Sequence, residues 1–155
     1  MESNKPQIFI VDDSGLERRI LRDALEKNGY GVREFVDGRD VLTWLRCLED
    51  SWPDMILLDA MMRVKDGFET CEAIKNLPKG REIPILMITA REDSAAIERA
   101  FDCGAEDFIV KPVNMTLLHR RIERIIKARR ADETVRMMAF TDLLTGLPNR
   151  RLFEN

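Results

Sequence analysis

Asp12 and Asp13 in VDDS, Asp59 at the end of MILLD, Thr89 at the end of ILMIT and Lys111 behind DFIV share one kind of placement. Each stands at or just past the end of a short run of Ile, Val, Leu, Met and Phe. If those runs are neighbouring parallel strands, three carboxylates, a hydroxyl and an ammonium meet in the crevice outside the strand ends, where ligands of open α/β sheets sit. Carboxylates crowded together in a partly desolvated crevice repel and raise one another's pKa unless a cation joins them. Hard oxygen ligands with waters left over suit Mg²⁺.

Taken singly, each residue has an ordinary structural role. Paired aspartates after a strand often only cap the next helix. A lone Asp ending a buried strand is harder to dismiss, because burying a carboxylate without purpose is costly. A Lys before Pro is usually a solvated loop residue. The joint occurrence, in order on successive strands, is what points to a site.

The elements that must position these groups are legible as alternation. QIFIV, residues 32–36, MILLD, ILMIT and DFIV read as five strands, with longer amphipathic stretches between them. In the first such stretch Leu16, Ile20, Ala24 and Leu25 recur at helical spacing and Gly29 stops the helix; Ile97, Ala100 and Phe101 before Gly104 repeat the device. Such β-α alternation implies parallel strands with helices on both faces. MILL and ILMIT are apolar almost throughout, as central strands covered on both sides must be, and Pro53 and Pro84 stand just before them. From Asn114 one long charged helix is expected, with Leu118, Ile122, Ile125 and Ile126 on one side and Ala128, Ala131, Val135 and Met138 as a second seam that suggests coiled-coil pairing.

Composition narrows the class. A chain of 155 residues with 45% apolar and 34% charged residues is too hydrophobic to be disordered throughout and too charged for a membrane bundle. Its 25 basic and 28 acidic residues give a net charge of −3, so no global field favours nucleic acid. Arg120, Arg121, Arg124, Lys127, Arg129 and Arg130 read as solvated faces of the long helix, and no nucleic-acid or membrane partner is expected. The opening MESNKPQIFIVDD lacks the long apolar core of a signal peptide, and no apolar run is long enough to span a bilayer, so a cytoplasmic protein is expected. Cys47, Cys71 and Cys103 are odd in number and lack CxxC spacing, which favours reduced, partly buried thiols. His119, the single histidine, is read as a surface residue away from the strand ends.

VDDS, ILLDAMMRVKDGFE, ITA and VKP, in this order and spacing, resemble the receiver domain of bacterial two-component response regulators, over residues 5–128. The resemblance implies a flavodoxin-like, doubly wound five-stranded parallel sheet of order 2-1-3-4-5. It implies that Asp59 is the phosphoacceptor, taking a phosphoryl group from a sensor histidine kinase or phosphotransfer protein. Asp12, Asp13, Asp59 and the backbone carbonyl of Met61 would hold Mg²⁺, and Thr89 and Lys111 would contact the phosphoryl group. A carboxylate needs no activating base as a nucleophile, and the cation offsets its repulsion with the incoming oxygens. Phe108 matches the switch aromatic, coupled to Thr89; without a hydroxyl it would report by packing alone. Arg63 stands where the family commonly has Pro, so the loop after Asp59 gains a cation. Met61 and Ala90 occupy positions that in this family influence how readily water reaches the acyl phosphate, and an apolar Met61 suggests slow self-dephosphorylation.

TDLLTGLPNRRLF, from Thr141, resembles the signature that opens the GGDEF domain of diguanylate cyclases, with Asp142, Leu144, Thr145, Leu147, Asn149 and Arg150 at the matching positions. The Gly-Gly-Asp/Glu-Glu-Phe sequence that carries that family's chemistry is absent, so this chain is not expected to be an enzyme. The resemblance implies a receiver, a helical stalk over residues 129–140 and, over residues 141–155, the start of a cyclase output domain controlled through homodimerisation on phosphorylation. Two other classes compete. One is a receiver that pairs without needing phosphate. The other is an acid-dependent phosphohydrolase using Asp59 or Asp12, against which VDDS lacks the D-x-D spacing of the common aspartyl phosphatases.

Overall fold

The computed structural model describes residues 5–49, 51–90 and 94–140, with side chains through residue 132. Residues up to His119 form one compact unit and those from Arg120 a second. Five strands, β1 (Gln7–Val11), β2 (Gly31–Phe35), β3 (Met55–Asp59), β4 (Ile85–Thr89) and β5 (Asp107–Val110), alternate with α1 (Gly15–Lys27), α2 (Gly38–Cys47), α3 (Gly67–Lys75), α4 (Ser94–Asp102) and α5 (Met115–Phe140). The sheet is parallel with order β2-β1-β3-β4-β5, as the alternation and the resemblance implied.

β3 and β4 are buried at every residue, which explains their unbroken apolar sequence, while β2 and β5 at the edges carry polar residues. On one face Phe9, Val11, Ile56, Leu58, Ile85 and Met87 join Leu42 of α2, Cys71 and Ile74 of α3 and Ala100 of α4 in the main core. Ile8, Ile10, Leu57, Leu86 and Ile88 alternate with them and are buried on the opposite face. There Leu21 of α1, Ile88 of β4 and Met115 of α5 line one cavity of about 260 Å³.

Register delivers the site. Val11 pairs with Leu58, so Asp12 leaves the sheet beside Asp59; Asp59 pairs with Ile88, so Thr89 follows at its other side. The helices start on side-chain caps: Ser14 Oγ accepts from Glu17 N at 3.3 Å, Asp37 from Asp40 N at 2.9 Å, and Asn114 from Leu117 N at 3.1 Å. Asp66 and Glu69 form a reciprocal capping box at α3. Gly29 and Gly104 both take positive φ, as the two helix stops require.

Several expectations need correction. The second strand is Gly31–Phe35, one position earlier than read, and Val36 lies outside it, exposed. On α1 the buried stripe is Leu21 and Leu25, whereas Leu16 and Ile20 face solvent; apolar spacing alone does not say which face packs. Phe101 is likewise exposed, and α4 buries Ala96 and Ala100. Cys71 and Cys103 are buried free thiols but Cys47 is exposed. His119 is half-buried, its ring edge-on to Tyr30 at 6.0 Å. α5 begins one residue after Asn114; Leu118, Ile122 and Ile126 are buried along it, and Ala128 and Ala131 are exposed. Val135 and Met138, and the whole of residues 141–155 with Asp142, Leu144, Thr145, Leu147, Asn149 and Arg150, lie outside the described side chains. No helix among the described residues is long and apolar enough to cross a membrane.

Candidate functional site

The C-terminal strand ends bring the predicted residues to one edge. Asp12 and Asp13 follow β1, Asp59 closes β3, Thr89 closes β4 and Lys111 follows β5. One carboxylate oxygen from each of Asp12, Asp13 and Asp59 lies within 4.8 Å of the others. Asp12 and Asp59 are buried and Asp13 is half-buried. The first helix is capped by Ser14, so the aspartate pair is not spent on capping. Asp12 Oδ1 does accept a hydrogen bond from Ser14 N at 2.9 Å, which fixes its rotamer.

Both oxygens of Asp59 have donors. The N–H of Met61 donates to Oδ1 at 3.1 Å, and the ammonium of Lys111 donates to Oδ2 at 3.3 Å. Lys111 is held by its own backbone, whose N–H donates to the carbonyl of Thr89 at 2.8 Å. The loop between β3 and α3 is cinched where Gly67 N donates to Ala60 O at 2.9 Å. A Cβ at Gly67 would collide with the backbone oxygen of Asp59, so glycine is what lets α3 start against the end of β3.

Burial pushes the Asp12 carboxyl up to about 7, with the charges of Asp59 and Glu17 adding to it, while the Ser14 N–H and Lys111 pull the other way. Burial of Lys111 favours the neutral amine, but the hydrogen bond to Glu17 and the charges of Asp59 and Asp12 outweigh it and raise its pKa. The site therefore has a shortage of positive charge. Arg63 meets part of it from the loop: its N–H and Nε donate to Asp13 Oδ2 at 3.2 and 3.3 Å. Since that side chain is 87% exposed, the pair is weak and readily displaced. An all-oxygen donor set, crowded and short of cations, fits a hard divalent ion such as Mg²⁺.

Not every residue singled out in the sequence touches this cluster. Met61 sends only its backbone to Asp59, its side chain being exposed, and Ala90 is exposed directly behind Thr89. Phe108 lies within β5, packed on the core, with its ring edge-on to Phe101 at 5.8 Å. Two contacts were missed. Glu17, on the first turn of α1, sets Oε1 2.7 Å from Lys111 Nζ. Arg18 donates to the carbonyl of Asp12 at 2.7 Å and pairs with Glu34 at 3.1 Å, tying α1 to the end of β1. The only signal for either was a position one turn past VDDS.

The model of the family described as response regulator receiver domain matches residues 8–123. Among curated proteins, the chain is 35% identical over 133 residues to the transcriptional regulatory protein ResD of Bacillus subtilis, covering 86% of this chain and 52% of that one. It is 32% identical over 129 residues to the transcriptional regulatory protein AfsQ1 of Streptomyces coelicolor, covering 83% and 55%. The chain thus spans just over half the length of these relatives. Among solved structures it is similar to the signal receiver domain of a signal transduction histidine kinase from Syntrophus aciditrophicus, at 32% identity and TM-score 0.73, covering 79% of this chain and 91% of that one. It is also similar to the receiver domain of sensor histidine kinase PA1611 from Pseudomonas aeruginosa, at 28% identity and TM-score 0.70, covering 79% and 98%; that structure has a magnesium ion coordinated in its active-site cleft.

Proposed function

Since this chain belongs to the response regulator receiver domain family of two-component signalling, we propose that its Asp59 accepts a phosphoryl group from a phosphohistidine of a sensor kinase or phosphotransfer protein. The observation that carries the reading is the seat of Asp59: a buried carboxylate at a strand end, 3.3 Å from an ammonium and grouped with two further acids. A carboxylate oxygen attacks phosphorus, a P–O bond forms, the P–N bond breaks, and its electron pair stays with the imidazole nitrogen. Lys111 takes up charge on the transferred group, and the hydroxyl of Thr89 offers it a hydrogen bond.

Asp13, Asp59 and the Met61 carbonyl would hold Mg²⁺, with Asp12 bound directly or through water. When bound, the ion supplies positive charge that offsets repulsion between the carboxylate and the phosphoryl oxygens. Engagement of Thr89 by the phosphoryl group would then bias Phe108 and the segment around α4 and β5 between two arrangements.

For the output, we infer a diguanylate cyclase from the signature at residues 141–153, driven by homodimerisation through a stalk at residues 129–140. The transcriptional regulators matched above share the receiver part, so their names speak to their own outputs. Cyclic di-GMP formation by the full gene product tests this half of the reading.

The receiver half is tested by transfer of labelled phosphate from a phosphohistidine donor. A label removed by hydroxylamine, as an acyl phosphate is, is expected. A hydroxylamine-stable label contradicts the assignment. A receiver that pairs without phosphate would show the same mass by light scattering with and without phosphorylation.

A further inference from the structure

We propose that Glu17 is a positioning residue that competes with the phosphoryl group for Lys111, and so sets how readily this receiver is phosphorylated. The inference rests on the phosphoacceptor reading above and deepens it.

Lys111 Nζ lies between two carboxylates, 2.7 Å from Glu17 Oε1 and 3.3 Å from Asp59 Oδ2. The shorter contact is to the residue outside the acid cluster. Neither backbone is free to drift. Glu17 N is tied to Ser14 Oγ, its neighbour Arg18 is anchored on the Asp12 carbonyl, and Lys111 N is tied to Thr89 O. What can change is the rotamer of a lysine with three rotatable donors.

Charge makes Glu17 costly in this place. Of the cations among the described residues only Lys111 and the exposed Arg63 pair with the three aspartate side chains, and a fourth carboxylate adds to the repulsion that an incoming anion meets. In the resting chain Glu17 draws the ammonium partly away from Asp59. A phosphoryl group on Asp59, with a charge near −2 and three acceptor oxygens, is the stronger partner and takes Lys111 over. Glu17 thereby subtracts from phosphoryl affinity the free energy of the pair it must give up. The Glu17 side chain is 43% exposed, so that contribution is modest.

The test is calorimetric titration of beryllofluoride, with Mg²⁺ present, into the wild type, Glu17→Gln and Glu17→Asp, with urea unfolding to show that all three are folded. Glu17→Gln is expected to bind about 1.5-fold to fivefold more tightly than wild type. Glu17→Asp keeps the charge but withdraws it by one methylene from Lys111, and is expected to tighten binding as well. Unchanged or weaker binding by Glu17→Gln overturns the proposal. So does Glu17→Asp behaving as wild type, since the effect would then belong to the general field and not to the contact. Failure of the wild type itself to bind overturns the phosphoacceptor reading, and this inference with it.

Discussion

Lys111 Nζ sits 3.3 Å from Asp59 Oδ2, although the two residues are 52 positions apart and leave the sheet on strands separated by β4. The contact places one cation on the edge of a three-acid cluster, and together with the exposed Arg63 beside Asp13 it does not balance the three acids. A divalent ion at Asp12, Asp13 and Asp59 would bind the folded chain only, and so stabilise it by mass action, by about 2.7 kcal/mol at one hundred times its dissociation constant. Urea unfolding with and without Mg²⁺ is expected to show this increment in the wild type and to lose it in Asp13→Ala. An increment that survives in Asp13→Ala places the ion elsewhere.

Acidity gives a second prediction. The folded chain holds Asp12 up to about 7 through burial and the charges of Asp59 and Glu17, against an ordinary value of 3.8. Between those values the folded state keeps a proton that the unfolded chain has released, so this group's contribution to stability falls as pH rises from about 4 to about 7. In EDTA, the difference in unfolding free energy between Asp12→Asn and wild type is expected to grow in favour of Asp12→Asn across that window and to level off above it. A pH-independent difference contradicts the shift.

Space around the glycines predicts opposite outcomes at two sites. In Gly67→Ala the new Cβ collides with Asp59 O and comes within 2.7 Å of Ala60 Cα, backbone atoms that cannot swing aside. A loss of about 1–3 kcal/mol is expected. In Gly15→Ala the nearest atom is the end of Arg18 at 3.6 Å, an ordinary contact on the first turn of a helix. There a gain of about 0.4–1 kcal/mol is expected. Urea unfolding measures both, and equal effects would contradict the packing described.

The strand ends are legible in the sequence because burial on both faces leaves an unmistakable apolar run, and the polar residue that ends it can hardly be anywhere but the sheet edge. That is why spacing alone sets Asp59, Thr89 and Lys111 at or just past strand ends, and Asp12 and Asp13 with them, as in the structure. Pairings that depend on how a helix rotates were not legible. Leu16 and Ile20 looked like core and are exposed, because the turn of α1 that buries Leu21 and Leu25 also delivers Glu17 to Lys111. A glutamate on a charged helix carries no mark of which lysine it will meet. Phe108 marks the same limit from the other side: its place in β5 is readable, but helical spacing does not show that its edge-on partner Phe101 is exposed.

Met61 bears on how long a phosphoryl group would stay. Its N–H is committed to Asp59 and its side chain is 55% exposed, offering no strong donor or acceptor to orient a water toward the acyl phosphate. In Met61→Asn an amide replaces the thioether, and loss of phosphate is expected to speed up several-fold, followed by decay of the phosphorylated species on Phos-tag gels. A decay no faster than wild type contradicts the role given to this side chain.

The most direct measurement is the intact mass of the chain after incubation with acetyl phosphate and Mg²⁺, beside Asp59→Asn treated in the same way. One added phosphoryl group on the wild type and none on Asp59→Asn is the predicted result. No adduct on either, or the same adduct on both, would contradict Asp59 as the phosphoacceptor.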